Sequence, residues 1–154
     1  MNRETNHAGL YIHVPFCRTK CPYCDFHSTV DLSPLSIWAE GIQREASLYG
    51  EAFPPFDTLY LGGGAPTVLP VVVSKSLMST VFQTLRFMED TEATIEANPD
   101  DITPARLEHF LEAGFNRISL GVQSFDDRAL GYLGRRHNAR QNRDVLNQIL
   151  ESGF

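Results

Sequence analysis

Leu10-Tyr-Ile-His-Val-Pro-Phe-Cys17-Arg-Thr-Lys-Cys21-Pro-Tyr-Cys24 is the stretch from which the rest of this chain can be read. Its first five residues are β-branched, aromatic or apolar and stop at Pro15, the pattern of a short strand. Three thiols follow within eight residues, and no other cysteine occurs in the 154-residue sequence. An odd, clustered set of this kind makes a poor disulfide framework and a good metal site. A strand that runs straight into a loop of soft ligands also says where the chemistry lies, at the carboxyl end of a sheet.

Working outward, the grammar of that strand recurs. Ser33-Pro34 opens a helix, with serine as N-cap and proline in the first turn, and Leu35, Trp38, Ile42, Ala46 and Tyr49 follow at helical spacing up to Gly50. Phe56 to Leu61 is a second strand, ending in Gly62-Gly63-Gly64. Val71 to Phe87 is a helix by its continuing pattern at Leu77, Val81 and Leu85, although its three opening valines also suit a strand. Glu92 to Ala97 is a third strand, closed by Asn98-Pro99. Thr103-Pro104 opens the next helix, which runs to Ala113. Arg117 to Val122 is a fourth strand, and a last helix runs from Ala139 to Leu150. Strands alternating with helices imply an α/β fold with a parallel sheet, either doubly wound or an arc of a barrel. Glu112-Ala-Gly-Phe115 leads into the fourth strand, and Glu151-Ser-Gly-Phe154 repeats that signal with no strand after it. The expectation is a piece cut before a fifth strand, with a leader over 1–9 and the core domain over 10–154.

Composition narrows the function. The chain is 42% hydrophobic and 21% charged, as soluble globular proteins are. It has no apolar run of the roughly 18 residues that a membrane span needs. Met1 to His7 is polar, without the apolar centre of a signal peptide, so the expected location is cytoplasmic. A formal charge of −6 argues against a general nucleic-acid binder. The densest basic run is Arg135, Arg136, His137 and Arg140, flanked by Arg128 and Arg143.

Three thiolates from one loop suit iron–sulfur or zinc. A [4Fe–4S] cluster held by Cys17, Cys21 and Cys24 keeps one iron open to a small molecule. The rival is a Cys3His zinc site that recruits His13 or His27, which makes the chain a structural module. Tyr11 and His13 alternate along the first strand and project to one side, beside the cysteines or into a core. Phe16, Phe26 and Trp38 are expected to pack.

Cys17-x-x-x-Cys21-x-x-Cys24, preceded by Tyr11-Ile-His-Val-Pro-Phe16 and with Tyr23 before the last cysteine, resembles the radical S-adenosylmethionine (radical SAM) superfamily. Within it, the chain is similar to the oxygen-independent coproporphyrinogen III oxidase-like family, the HemN/HemW group. The resemblance implies a partial (β/α)6 TIM-like barrel, of which this chain holds the first four βα units. It implies that the open iron takes the amino and carboxylate groups of SAM, whose cleavage yields a 5′-deoxyadenosyl radical. Gly62-Gly-Gly-Ala-Pro-Thr67 resembles the GGGTP motif, so Gly63 and Gly64 are expected at the methionine amino group. Glu96 matches an acid at the methionine moiety, Gln123 a glutamine on the ribose, and Arg135 an arginine on the SAM carboxylate. Tyr11 joins them as a cofactor-binding candidate.

One departure separates members of the group. The oxidases proper carry a further cysteine two residues after the third, and here that position is Phe26. The loop and the short leader therefore look like HemW, whose members bind haem and are regarded as haem chaperones. The implied partners are haem or coproporphyrinogen III, an electron-donor protein and haem-acceptor proteins. The alternative within the same resemblance is oxidative decarboxylation of coproporphyrinogen III propionates.

Overall fold

The computed structural model describes residues 8–154. Residues 1–7, most of the expected leader, lie outside the described residues. The elements are β1 (Ala8–Val14), α1 (Leu35–Tyr49), β2 (Phe56–Gly63), α2 (Val71–Thr84), β3 (Phe87–Ala97), α3 (Pro104–Glu112), β4 (Arg117–Leu120), α4 (Asp127–Tyr132) and α5 (Ala139–Glu151). Short 3₁₀ turns follow β2 at Pro66–Val68 and β3 at Pro99–Asp101.

All strand pairs are parallel and the spatial order is β1-β2-β3-β4. Each strand thus lies beside its predecessor. Because parallel crossovers are right-handed almost without exception, successive helices then fall on one side of the sheet. Of the two topologies the sequence allows, this is the arc of a barrel. The faces agree. Ile12, Val14, Leu59, Leu61, Ala93, Ile95 and Ala97 are all 5% exposed or less and belong to one core with Leu77, Val81, Leu107, Phe110 and Val145 of the helices. Each fully buried Val, Leu, Ile or Phe side chain there contributes about 1.5–3 kcal/mol. Tyr11, His13, Tyr60, Glu96 and Ser119 alternate with them on the opposite, more open face.

Several boundaries differ from those expected. Ser33 is not the N-cap of α1: its N–H is taken by Asp31 Oδ1 at 2.9 Å, and Pro34 supplies the first helical carbonyl, to the Trp38 N–H. β3 begins five residues early, because Phe87 pairs with Phe56 and takes the strand from the end of α2. α4 was not foreseen. It is six residues long, capped by Asp126 and anchored by Leu130, which is 1% exposed. Phe16 and Trp38 do pack, edge to face at 5.6 Å, but Phe26 is 64% exposed. Tyr11 fills no core either, at 55% exposed. Among the described residues no helix is long and apolar enough to cross a membrane.

One polar contact joins the helix layer. His109 of α3 is 5% exposed, and its Nε2 lies 2.7 Å from Ser74 Oγ of α2. Burial, reinforced by Lys75 and Arg106, holds the His109 pKa below its ordinary value against the opposing pull of Glu112. The unfolded chain therefore binds a proton at this residue more readily than the folded one, and stability must rise with pH through this window. The contribution is complete above the unfolded pKa of about 6.5 and is lost as pH falls from there through the lower folded value. Urea denaturation at about pH 7.5 and about pH 5.5 tests this: the loss on acidification is expected to be smaller in His109→Gln than in the unaltered protein.

Candidate functional site

The site is built from the way β1 and β2 end. Past Val14 the chain turns through Pro15 and Phe16 into the cysteine loop. Phe16 is 1% exposed and pins the loop to the core, while Cys17 N–H to Thr29 O (2.9 Å) and Thr29 N–H to Pro15 O (2.7 Å) clasp its base. β2 then supplies three consecutive amides. Gly63 N–H donates to Glu96 Oε2 at 2.9 Å, Gly64 N–H to Val14 O at 2.8 Å, and Ala65 N–H to Phe16 O at 2.7 Å. These donors are used within the chain and not presented outward. The glycines are required by close approach: a Cβ on Gly64 would stand 2.6 Å from Phe16 O, and one on Gly62 2.8 Å from the Glu96 carboxyl carbon. Gly63 adopts φ +112°, a conformation that side-chain-bearing residues rarely take.

A cleft of about 340 Å³ opens over these strand ends, within the size range of small-molecule sites. It is lined by Cys17, Cys21 and Cys24, by Gly63 and Gly64, and by Glu96, Gln123 and Arg135. The structure thus brings together every site residue expected from sequence except Tyr11, which stands just outside. Tyr11 Oη is 3.0 Å from His13 Nδ1, so the two do share a side of β1. His13 Nε2 donates to His27 O at 2.9 Å, leaving Nδ1 to accept the Tyr11 hydroxyl proton. Both nitrogens of His13 are therefore engaged.

The three cysteines are free and half-buried. Burial chiefly, with Cys24 and Cys21 nearby, raises the Cys17 pKa, and Ser28 and Lys20 oppose that rise. Glu96 accepts from Tyr60 Oη at 2.7 Å as well as from Gly63, so both its oxygens are fixed. Burial raises the pKa of Tyr60, and also that of Tyr23, which Arg135 partly offsets. Arg135 crosses the cleft wall: Nη1 donates to Cys21 Sγ (3.3 Å) and Tyr23 Oη (3.1 Å), Nη2 to Asn98 Oδ1 (2.5 Å) and Gly121 O (3.1 Å). Its Nε is buried with no partner.

Asp101, Asn98 and Tyr60 support the site and were not singled out from sequence. Asp101, its side chain 4% exposed, accepts from Thr67 Oγ1 at 2.6 Å and pairs with Arg18 at 3.2 Å. Arg136 pairs with Asp100 and reaches Asp101 at 3.9 Å. Asp101 thereby fastens the cysteine loop to the ends of β2 and β3. Asn98 orients Arg135, and Tyr60 orients Glu96. Only Asn98 had a signal, in the Asn98-Pro99 break after β3; nothing local marks an aspartate for burial.

Three thiolate-forming side chains from one loop are donors of the kind an iron–sulfur cluster takes, although among the described residues no three Cys, His, Asp or Glu side chains are gathered closely enough to hold a metal ion. Three free thiols line the cleft, a guanidinium touches one of them, and hydrogen-bonding side chains line the same cleft. The sequence pattern of the Radical SAM superfamily matches residues 11–154. The chain is 35% identical over 150 residues to the heme chaperone HemW of Bacillus subtilis, covering 95% of this chain and 40% of that protein. It is 31% identical over 151 residues to the oxygen-independent coproporphyrinogen III oxidase of Paracoccus denitrificans, covering 95% and 34%. The solved coproporphyrinogen III oxidase (HemN) of Escherichia coli, described as a radical SAM enzyme, superposes with a TM-score of 0.86 at 29% identity, over 95% of this chain and 35% of that one. The chain spans about 40% of the length of the HemW proteins it matches.

The contact geometry at Gly64 gives a direct test. Gly64→Ala is expected to destabilise the fold by about 1–3 kcal/mol, since a methyl cannot enter against two backbone carbonyls. Gly131→Ala in α4, where a Cβ meets nothing within 4 Å, is expected to be neutral or stabilising by about 0.5–1 kcal/mol. Denaturant midpoints at constant m-value measure both.

Proposed function

The chain belongs to the radical SAM superfamily, and on that premise we propose that Cys17, Cys21 and Cys24 hold a [4Fe–4S] cluster and that the cleft beside them binds S-adenosylmethionine. The observation that carries the reading is the meeting of these thiols with Gly63, Gly64, Glu96, Gln123 and Arg135 at one cleft. When bound, the cluster supplies the electron and the open iron that reductive cleavage of SAM requires. The chain's own residues hold and orient. Arg135, its Nη hydrogens held by Cys21, Tyr23, Asn98 and Gly121, places a positive charge in the cleft wall for a carboxylate. Glu96, fixed by Tyr60 and Gly63, presents acceptor lone pairs toward an ammonium group. Gly63 and Gly64 keep that wall free of side chains, and Gln123 offers a carboxamide to a ribose. Tyr11 supports the site from outside through His13.

The role we infer is HemW-like: a haem chaperone that binds haem and passes it to acceptor proteins, with an electron-donor protein serving the cluster. Phe26 supports this over the oxidase, because it stands where the oxidases carry their additional cysteine and it leaves the loop with three thiols. The oxidase reading rests on the Paracoccus denitrificans and Escherichia coli relatives and takes coproporphyrinogen III as substrate. Residues 10–154 are on this reading one part of a larger core domain. Unpaired clustered thiols also suit a reducing, cytoplasmic setting.

Anaerobic reconstitution with iron and sulfide tests the core of the proposal. About four irons per chain are expected, with an EPR signal of the reduced protein that changes on adding SAM. Cys21→Ala is expected to abolish the cluster. Tight binding of one zinc and no cluster, in folded protein, would sink the reading. Haem binding without turnover of coproporphyrinogen III is expected of the chaperone, and the reverse of the oxidase.

A further inference from the structure

Gln123 is the one described non-glycine residue at positive φ, +61°. A residue with a side chain is uncommon there, and the strain persists only where its surroundings enforce it. The local turn is tight: Ser124 N–H donates back to Val122 O across Gln123 at 2.7 Å. Such a turn needs an external restraint, and α5 provides one. Asn142 is 0% exposed, and its Nδ2 donates to Val122 O at 3.2 Å and to Ser124 O at 2.8 Å, one hydrogen to each flank of Gln123. Both partners are acceptors, so the amide orientation follows from the chemistry. Its Oδ1 is buried without a partner. A small apolar residue would seat on this helix face beside Ala139 and Val145 without that burden. His137, 3% exposed, adds a donation from Nε2 to Val122 O at 3.3 Å.

The turn determines where the Gln123 carboxamide goes. It lies over Gly121, where a Cβ would come 3.1 Å from Gln123 Nε2 and 3.4 Å from Asn98 Oδ1, in the cleft wall beside Arg135. We propose that Asn142 is a positioning residue for Gln123: by holding both flanking carbonyls, it fixes the turn that presents the Gln123 carboxamide to the nucleoside part of the ligand. Gln123 touches the ligand and Asn142 acts through it. The inference rests on the cleft being the SAM site and on Gln123 facing the ribose.

A double-mutant cycle in the intact, cluster-loaded protein tests it. Asn142→Ala and Asn142→Leu, the latter filling the same space without donors, are each combined with Gln123→Ala, and SAM affinity is measured anaerobically beside iron content. About tenfold weaker binding is expected from each single change, since each loses the same positioned carboxamide contact with the ligand. The double variant is expected to lose no more than either single one, with iron content unchanged. Methionine, which lacks the nucleoside, is expected to perturb the cluster's EPR signal equally in all variants. Unaltered SAM affinity in both Asn142 variants while Gln123→Ala weakens it, or fully additive losses, would overturn the positioning role and leave the site reading intact. No effect of Gln123→Ala would instead overturn the assignment of Gln123, and this inference with it. If one Asn142 variant loses iron, the other decides; if both do, Asn142 serves the cluster loop and the proposal fails.

Discussion

Two backbone hydrogen bonds, Gly64 N–H to Val14 O and Ala65 N–H to Phe16 O, are the constraint on which this cleft depends. They continue the β1–β2 pairing beyond its last register pair, Val14 with Gly63, and so carry the order of the sheet into the first residues of the cysteine loop. With Gly63 donating to Glu96 from the neighbouring amide, one tripeptide ties the ends of three strands together. The glycines are therefore needed first for internal closeness. A side chain at Gly64 would separate the strand ends before it obstructed any ligand, and what the motif shows the cleft is bare backbone.

Charge is organised on the same rim. The chain is acidic overall, yet the cleft is bordered by arginines that differ in how they are compensated. Arg18 and Arg136 are spent on Asp100 and Asp101, one carboxylate of which is almost wholly buried. Breaking such a pair leaves a buried charge, so these arginines belong to the architecture. Arg135 has a thiol, a phenol, an amide oxygen and a carbonyl as partners, and no carboxylate among them. Its charge is placed without being neutralised, which is the state required of a group that meets an anion. This contrast, more than the density of the basic run, sets Arg135 apart from Arg18 and Arg136.

The sequence made the βα alternation and the position of the chemistry legible, because strands, helix openings and glycine breaks each have local causes. Thr103 caps α3 through a bond to Arg106 N–H, as its Thr-Pro opening predicts. What stayed hidden has causes distant in sequence. The early start of β3 depends on Phe56, and α4, although locally capped by Asp126, is tied to α5 by Asp127 accepting from Ala139 N–H at 2.7 Å. Phe26 shows the opposite failure: an aromatic residue suggests packing, but a loop of thiols gave it no core to enter. Among the site residues, chemical type and resemblance could name Glu96 and Arg135. Only coordinates could show that Tyr60 and Asn98 orient them.

The buried polar atoms that lack a hydrogen-bond partner are not scattered. Of the five buried polar side-chain atoms among the described residues that lack a hydrogen-bond partner, Arg135 Nε, Asn142 Oδ1 and His137 Nδ1, the last 3.7 Å from Asp100 Oδ1, belong to residues that bond the Gly121–Ser124 segment, and none belongs to the strands. Buried polar groups are satisfied in all but a few cases, so a concentration of exceptions calls for a cause. Here Asn142 and His137 give donors to the backbone carbonyls that flank Gln123, Arg135 gives one of its four to Gly121 O, and the leftover atoms accompany that arrangement. A fold selected for stability alone would relax Gln123 to negative φ and fill position 142 with an apolar side chain. That the chain does neither indicates that the position of the Gln123 side chain, and not the economy of the turn, is the property being held.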